Sequence, residues 1–98
     1  MADSKAQSSG LPVEITMLYF ASARTALDKS SERISLPASL AVSQLSDALL
    51  KKYNNLRELR TILQKSAFSV NEEIVYRPED TILKHGDVVA IIPPVSGG

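Results

Sequence analysis

Between Val13 and Phe20 the chain alternates: Val13, Ile15, Met17 and Tyr19 fall on one face of an extended segment, and Glu14, Thr16, Leu18 and Phe20 on the other. A period of two predicts a strand. Its second face begins polar and ends apolar, so the far end of that face is expected to be covered or used for contact. Residues 21–30 read as a polar connection. A second strand is predicted at 32–36, where Ile34 and Leu36 alternate with Arg33 and Ser35 until Pro37 stops the run. Two neighbouring strands joined by a modest loop predict a hairpin.

The spacing then changes. Val42, Leu45, Leu49, Tyr53 and Leu56 recur at steps of three and four, which predicts a helix over 43–53 with these residues on one stripe. Asp47 lies early and Lys51 and Lys52 late, the sense that the helix dipole favours. Ser39 and Ser43 both qualify as its cap, whereas Ala41 has no side-chain acceptor. A shorter helix is predicted around 56–63, with Leu56, Leu59, Ile62 and Leu63 inward. A third strand at 67–71 leads through Asn71 and Glu72, residues suited to a tight reversal, into an extended piece at 74–76. Gly86 supplies the turn before a last strand at 88–92, which is apolar on both sides. Placing the first and last strands side by side in mid-sheet makes them parallel, with the main helix across them. The expected fold is therefore α+β, a mixed sheet of the β-grasp (ubiquitin-like) type packed on one main helix, with an extended C-terminal tail.

At 98 residues this is one domain. The expected division is a disordered polar leader over 1–11, the folded domain over 12–92 and a flexible tail over 93–98. The leader lacks the apolar core of a secretory signal, and no stretch reaches the roughly 20 apolar residues of a membrane span. The expected address is the cytoplasm, with no membrane partner. Eleven basic and eleven acidic residues balance, which gives no footprint of nucleic-acid binding. There is no cysteine, so thiolate metal sites and cysteine nucleophiles are excluded on this chain. The one histidine, His85, is expected in an exposed turn, and no metal site is expected.

The chain ends Pro93-Pro94-Val95-Ser96-Gly97-Gly98. A diglycine held clear of a domain by prolines suits insertion into a narrow slot, since glycine has no side chain to clash and reaches backbone angles closed to others. Prolines restrict the approach and reduce the entropy lost on insertion.

The ending from Gly86 to Gly98, the segment Phe20-Ala21-Ser22-Ala23-Arg24 and the run Val70-Asn71-Glu72-Glu73 together resemble the ubiquitin-like sulfur carriers, in particular the small subunits of molybdopterin synthase. The likeness covers residues 13–98. It departs at Thr25-Ala26-Leu27-Asp28, where many relatives have a glycine, and at Ala41, where threonine or serine is common. The resemblance implies that Gly98 is adenylated by an E1-like adenylyltransferase/sulfurtransferase using ATP. The adenylate then becomes a thiocarboxylate (1-thioglycine), and its sulfur passes to a cyclic pyranopterin monophosphate to form the molybdopterin dithiolene. It also implies a heterotetramer with the large, catalytic subunit, which makes this chain a co-substrate rather than a catalyst, with no cofactor of its own.

On that reading Gly98 reacts, while Pro93, Pro94, Val95, Ser96 and Gly97 insert. Phe20, Arg24 and Ile91 are the candidate partner contacts. Phe20 is either an exposed anchor or the end of the core strand, and Arg24 either meets a partner carboxylate or is simply solvated. Val89 and Ile91 share one face of the last strand, Val88, Ala90 and Ile92 the other, and both faces remain candidates for contact. Rival functions are a protein modifier joined through Gly98 to lysines, a carrier for thiamine thiazole formation or tRNA thiolation, and a non-covalent binding module.

Overall fold

The computed structural model describes residues 11–94. The elements run β1 (Val13–Tyr19), α1 (Ala21–Leu27), β2 (Ser31–Leu36), α2 (Val42–Lys52), α3 (Arg57–Lys65), β3 (Ala67–Val70), β4 (Glu73–Ile74) and β5 (Val88–Ile92). One mixed sheet has the order β2-β1-β5-β3-β4. β5 runs parallel to β1, with Leu18 beside Ala90, and antiparallel to β3, with Ser69 beside Ala90. This is the β-grasp arrangement, with the first and last strands adjacent in mid-sheet as their apolar patterns predicted.

The inner sheet face packs on the helices. Ile15, Met17 and Tyr19 of β1, Ile34 and Leu36 of β2 and Val89 and Ile91 of β5 are buried with Val42, Leu45 and Leu49 of α2 and Leu59 and Leu63 of α3. Burying such side chains is worth roughly 1.5–3 kcal/mol each. Leu83, from the loop before β5, completes this core. Leu56 does not join it: it is 36% exposed, at the entry to α3 rather than on its inward stripe. Tyr53 lies just past α2, at its C-cap position, half-buried against the core.

Two local expectations change. Residues 21–30 are not merely a polar connection, because α1 fills 21–27. It was obscured because only Ala23 and Leu27, one turn apart, are buried. Asp28 closes the helix in the left-handed conformation at φ 58°, donating its N–H to the Arg24 carbonyl. β1 and β2 still pair antiparallel, but across a helix rather than a short loop. The second change is the start of α2, where Ala41, not Ser39 or Ser43, holds the cap position. The Gln44 side chain accepts from the Ala41 N–H at 2.9 Å, half of a capping box. The Val42 and Ser43 N–H groups donate to the carbonyls of Thr81 and Pro78. The loop before β5 thus supplies the acceptors that a capping side chain would give.

One carboxylate is drawn into the core margin. Glu32 faces inward because it lies opposite Met17. Its Oε2 accepts from the Tyr19 hydroxyl at 2.6 Å and the Tyr53 hydroxyl at 2.5 Å, and Lys29 Nζ donates to Oε1 at 3.2 Å. Burial by itself would raise the Glu32 carboxyl, but the bonds from Tyr19, Tyr53 and Lys29 together outweigh it and hold the group below its ordinary value. Burial first, and then the bond to Glu32, push the Tyr19 phenol well up.

Because the folded carboxyl titrates below its ordinary value of 4.5, its stabilisation is complete above that value and is lost as pH falls through the folded pKa. Chemical denaturation of the wild type and Glu32→Ala should therefore differ by about 2–3 kcal/mol at pH 7, since two hydroxyls lose their acceptor. The gap should shrink on acidification below that value. An equal gap at all pH values would show that the loss is packing alone.

Candidate functional site

The root of the tail is fixed from both sides. β5 is hydrogen-bonded to β1 and β3, and Pro93, which follows it, is buried. The expected tail segment over 93–98 thus begins seated in the domain, and Pro94 is the first exposed residue after β5. Val95, Ser96, Gly97 and Gly98 lie outside the described residues, as do residues 1–10 of the leader expected over 1–11.

Alternation along β5 decides which face is open. Val89 and Ile91 point into the core, and Ile91 is 0% exposed. Ile91 therefore cannot contact a partner in the folded domain, and the exposed residues of the opposite face, Val88 and Ile92, replace it as candidate contacts. Val88 and Ile92 are 36% and 37% exposed. Continuing the parallel register of β1 and β5 brings Phe20, 47% exposed, alongside Ile92. Leu18, Phe20, Val88, Ala90 and Ile92 make the apolar part of a shallow concavity of about 500 Å³, edged by Ser69, Asn71 and Glu72. An apolar depression bordered by polar groups is how a protein-binding surface presents itself. It sits where β5 hands over to the tail.

Backbone conformation aims Phe20 there. Ala21, directly after it, takes φ 50°, a region that costs an alanine about 1 kcal/mol. The turn this produces lets the Phe20 carbonyl accept from the N–H groups of Ala23 and Arg24, which starts α1. Arg24 is exposed one turn on but does not join the concavity. It lines a separate polar depression with Thr25, Asp28, Lys29 and Ser30. Phe20 and Arg24 thus face different surroundings.

The polar edge of the concavity is a clamp that sequence spacing did not reveal. Asn71 and Glu72 form the β3–β4 turn with φ 52° and 73°, the paired positive angles of a tight hairpin. The Asn71 side chain donates to Asp87 Oδ1 at 3.0 Å and accepts from the Val88 N–H at 2.9 Å. Asp87 Oδ2 also accepts from the Lys84 N–H. The turn at Gly86, φ 90°, is held this way, and His85 adds to it by accepting the Glu14 N–H at Nδ1. His85 is exposed in that turn, as expected. Asn followed by Glu pointed to the reversal, while the bond to Asp87 depends on a strand pairing that spacing does not encode.

No group of three or more histidine, cysteine or acidic side chains able to hold a metal occurs among the described residues. No helix among them is long and apolar enough to cross a membrane.

A β-grasp domain whose central strand leads in sequence through Pro93 and Pro94 to Gly97 and Gly98, with an apolar concavity beside that strand, is a ubiquitin-like domain. The chain belongs to the ThiS family, which matches residues 17–98. It is 38% identical to the molybdopterin synthase sulfur carrier subunit of Mycosarcoma maydis, over 93% of this chain and 99% of that protein. It is 42% identical to the protein of that name from Aspergillus niger, over 82% of this chain and 89% of that protein. Among solved structures, small archaeal modifier protein 1 from Methanosarcina acetivorans superposes with a TM-score of 0.69 at 25% identity, covering 91% of this chain and all of that one.

The two faces of β5 should separate in mutational cost. Ile91→Ala should lower unfolding free energy by about 2–5 kcal/mol. Ile92→Ala and Phe20→Ala, already half in water, should cost about 1 kcal/mol or less. Equal losses, measured by thermal or urea unfolding, would mean the outer face is part of the core.

Proposed function

We propose that this chain is the sulfur carrier subunit of molybdopterin synthase, acting through its C-terminal residue Gly98. The observation that carries the reading is the 38% and 42% identity to two proteins of that name, over 93% and 82% of this chain. The family match that runs to residue 98 supports it further.

A carboxylate is a poor electrophile. In the proposed cycle an E1-like partner joins the Gly98 carboxylate to the AMP moiety of ATP, releasing pyrophosphate. A sulfur nucleophile attacks the carbonyl carbon of this mixed anhydride and AMP leaves, so that Gly98 ends as a thiocarboxylate. That group is ionised at neutral pH and nucleophilic, and it can store sulfur on a chain with no cysteine. The large subunit then accepts the tail in its active site, where the thiocarboxylate sulfur bonds to a carbon of a cyclic pyranopterin monophosphate as an oxygen substituent leaves. Water cleaves the resulting thioester, so that the sulfur stays on the pterin and Gly98 returns to a carboxylate. Two transfers complete the dithiolene.

Each part of the chain has a task in this scheme. Gly97 and Gly98 pass the constriction, while Val95 and Ser96 make contacts within the slot. Pro93 and Pro94 direct the tail outward. The face around Phe20 and Ile92 docks the large subunit in a heterotetramer of two small and two large chains, and Arg24 meets a carboxylate on one of the partners. The reactions run in the cytoplasm. The likeness to an archaeal modifier protein keeps protein conjugation as the second reading, since it requires the same first activation.

Incubation with ATP, the activating enzyme and a sulfur donor should add the mass difference between sulfur and oxygen, and fragmentation should map it to Gly98. Oxidation of Met1 or Met17 has nearly the same mass and is separated by that mapping. Precursor and large subunit together should then remove the added mass. Deleting Gly98 should abolish transfer while leaving the melting temperature unchanged. Transfer by the truncated chain, or covalent ladders with other proteins in place of the thiocarboxylate, would overturn the proposal.

A further inference from the structure

β2 is the outermost strand on its side of the sheet. The Tyr19 N–H donates to the Ser30 carbonyl, which sets the phase of the β1–β2 ladder. In that phase Glu32, Ile34 and Leu36 bond to β1, while the backbone N–H and C=O groups of Ser31, Arg33 and Ser35 point to the open edge. Among the described residues, no backbone bond from a turn, loop or cap engages Arg33 or Ser35. No proline interrupts the strand before Pro37. Such an edge is a template for another strand.

A groove of about 700 Å³ runs beside this edge, between β2 and α2. Leu36, Leu40 and Ala48 contribute its apolar lining, and Lys51 and Lys52 outnumber the single carboxylate of Asp47. Arg33, opposite Thr16, carries its side chain on the other face of the sheet and meets the groove through its backbone. Arg33 reaches Glu14 at 3.6 Å and Lys52 reaches Glu32 at 3.9 Å. Contacts this long at exposed cations leave most of the positive field facing water.

We infer that the β2 edge and this groove take up an extended acidic segment of a partner protein as an added strand. Backbone bonds to Arg33 and Ser35 would hold it, alternate apolar side chains would enter the groove, and carboxylates would meet Lys51 and Lys52. Charge disfavours a second copy of this chain in that place, because two such cationic rims would face each other across a β2–β2 pair. The site is independent of the sulfur-carrier reading and compatible with it. Leu36 lies opposite Val13, at the end of the sheet away from Tyr19 and the departing tail. A partner could therefore hold this edge while the tail is engaged elsewhere.

Nuclear magnetic resonance titration of the full chain with the capped peptide Thr-Val-Glu-Ile-Thr-Val-Asp-Glu-Glu tests this. The amides of Arg33 and Ser35 should shift and gain protection from solvent exchange. Lys51→Glu should weaken binding about tenfold or more. Ser35→Pro should abolish it without removing a ladder bond, since that N–H faces outward. If Ser35→Pro disturbs the fold, Lys51→Glu and the exchange data still decide. Several results would overturn the inference: no binding up to about 1 mM, equal binding of a scrambled peptide, shifts without protection of the two amides, or self-association through β2.

Discussion

The parallel pairing of β1 with β5 is the contact on which the other features of this domain depend. It joins segments from opposite ends of the folded chain, with Thr16 against Val88 and Tyr19 against Ile91. Parallel strands cannot be joined by a tight turn, so helices and the long loop before β5 must lie between them. That requirement places α2 and α3 on one sheet face. Because the strands are in register, Phe20 lies beside Ile92 on the other face, and the tail starts from that same end. The core, the apolar concavity and the point where the chain leaves β5 are three consequences of a single registration.

The pairing is slow to find in sequence terms, since loop closure must be completed before it is rewarded. Shorter-range devices narrow the search. The Asn71 side chain ties the β3–β4 turn to the start of β5, and carbonyls of the loop ahead of β5 finish the N-terminus of α2. Glu32 gathers hydroxyls from β1 and from the end of α2, so it links sheet and helix at the margin of the core. A half-buried carboxylate with several donors gains little over an apolar substitute. What it adds is a tie between β1, β2 and the end of α2, since one oxygen accepts from both Tyr19 and Tyr53.

Much of this was legible from periodicity. The alternation in Val13 to Tyr19 and the doubly apolar Val88 to Ile92 gave the strands and their central place, and the Val42, Leu45, Leu49 spacing gave α2. Legibility failed where a signal is short or tertiary. α1 has one buried pair, Ala23 and Leu27, which is too few for a period to emerge. The start of α2 at Ala41 could not be read because its acceptors lie some forty residues away, at Pro78 and Thr81. For β5 the two faces were equally apolar, and only the position of the helices decides that Ile91 is inside and Ile92 outside. The family was legible through resemblance in the residues around Phe20 and from Gly86 to Gly98, and the apolar concavity beside β5 needed the fold.

The placement of β5 also has a mechanical meaning. A tail gripped by another molecule and then withdrawn transmits tension to the strand that carries it. β5 has neighbours on both sides, and a pull along its axis loads the bonds to β1 and β3 in shear, many at once. An edge strand peeled from its end would yield one bond at a time. The buried ring of Pro93 stands between the grip and the ladder and adds a first point of resistance. The strand leading into the last residues of the chain is therefore the one that the sheet holds on both sides against a pull from that end.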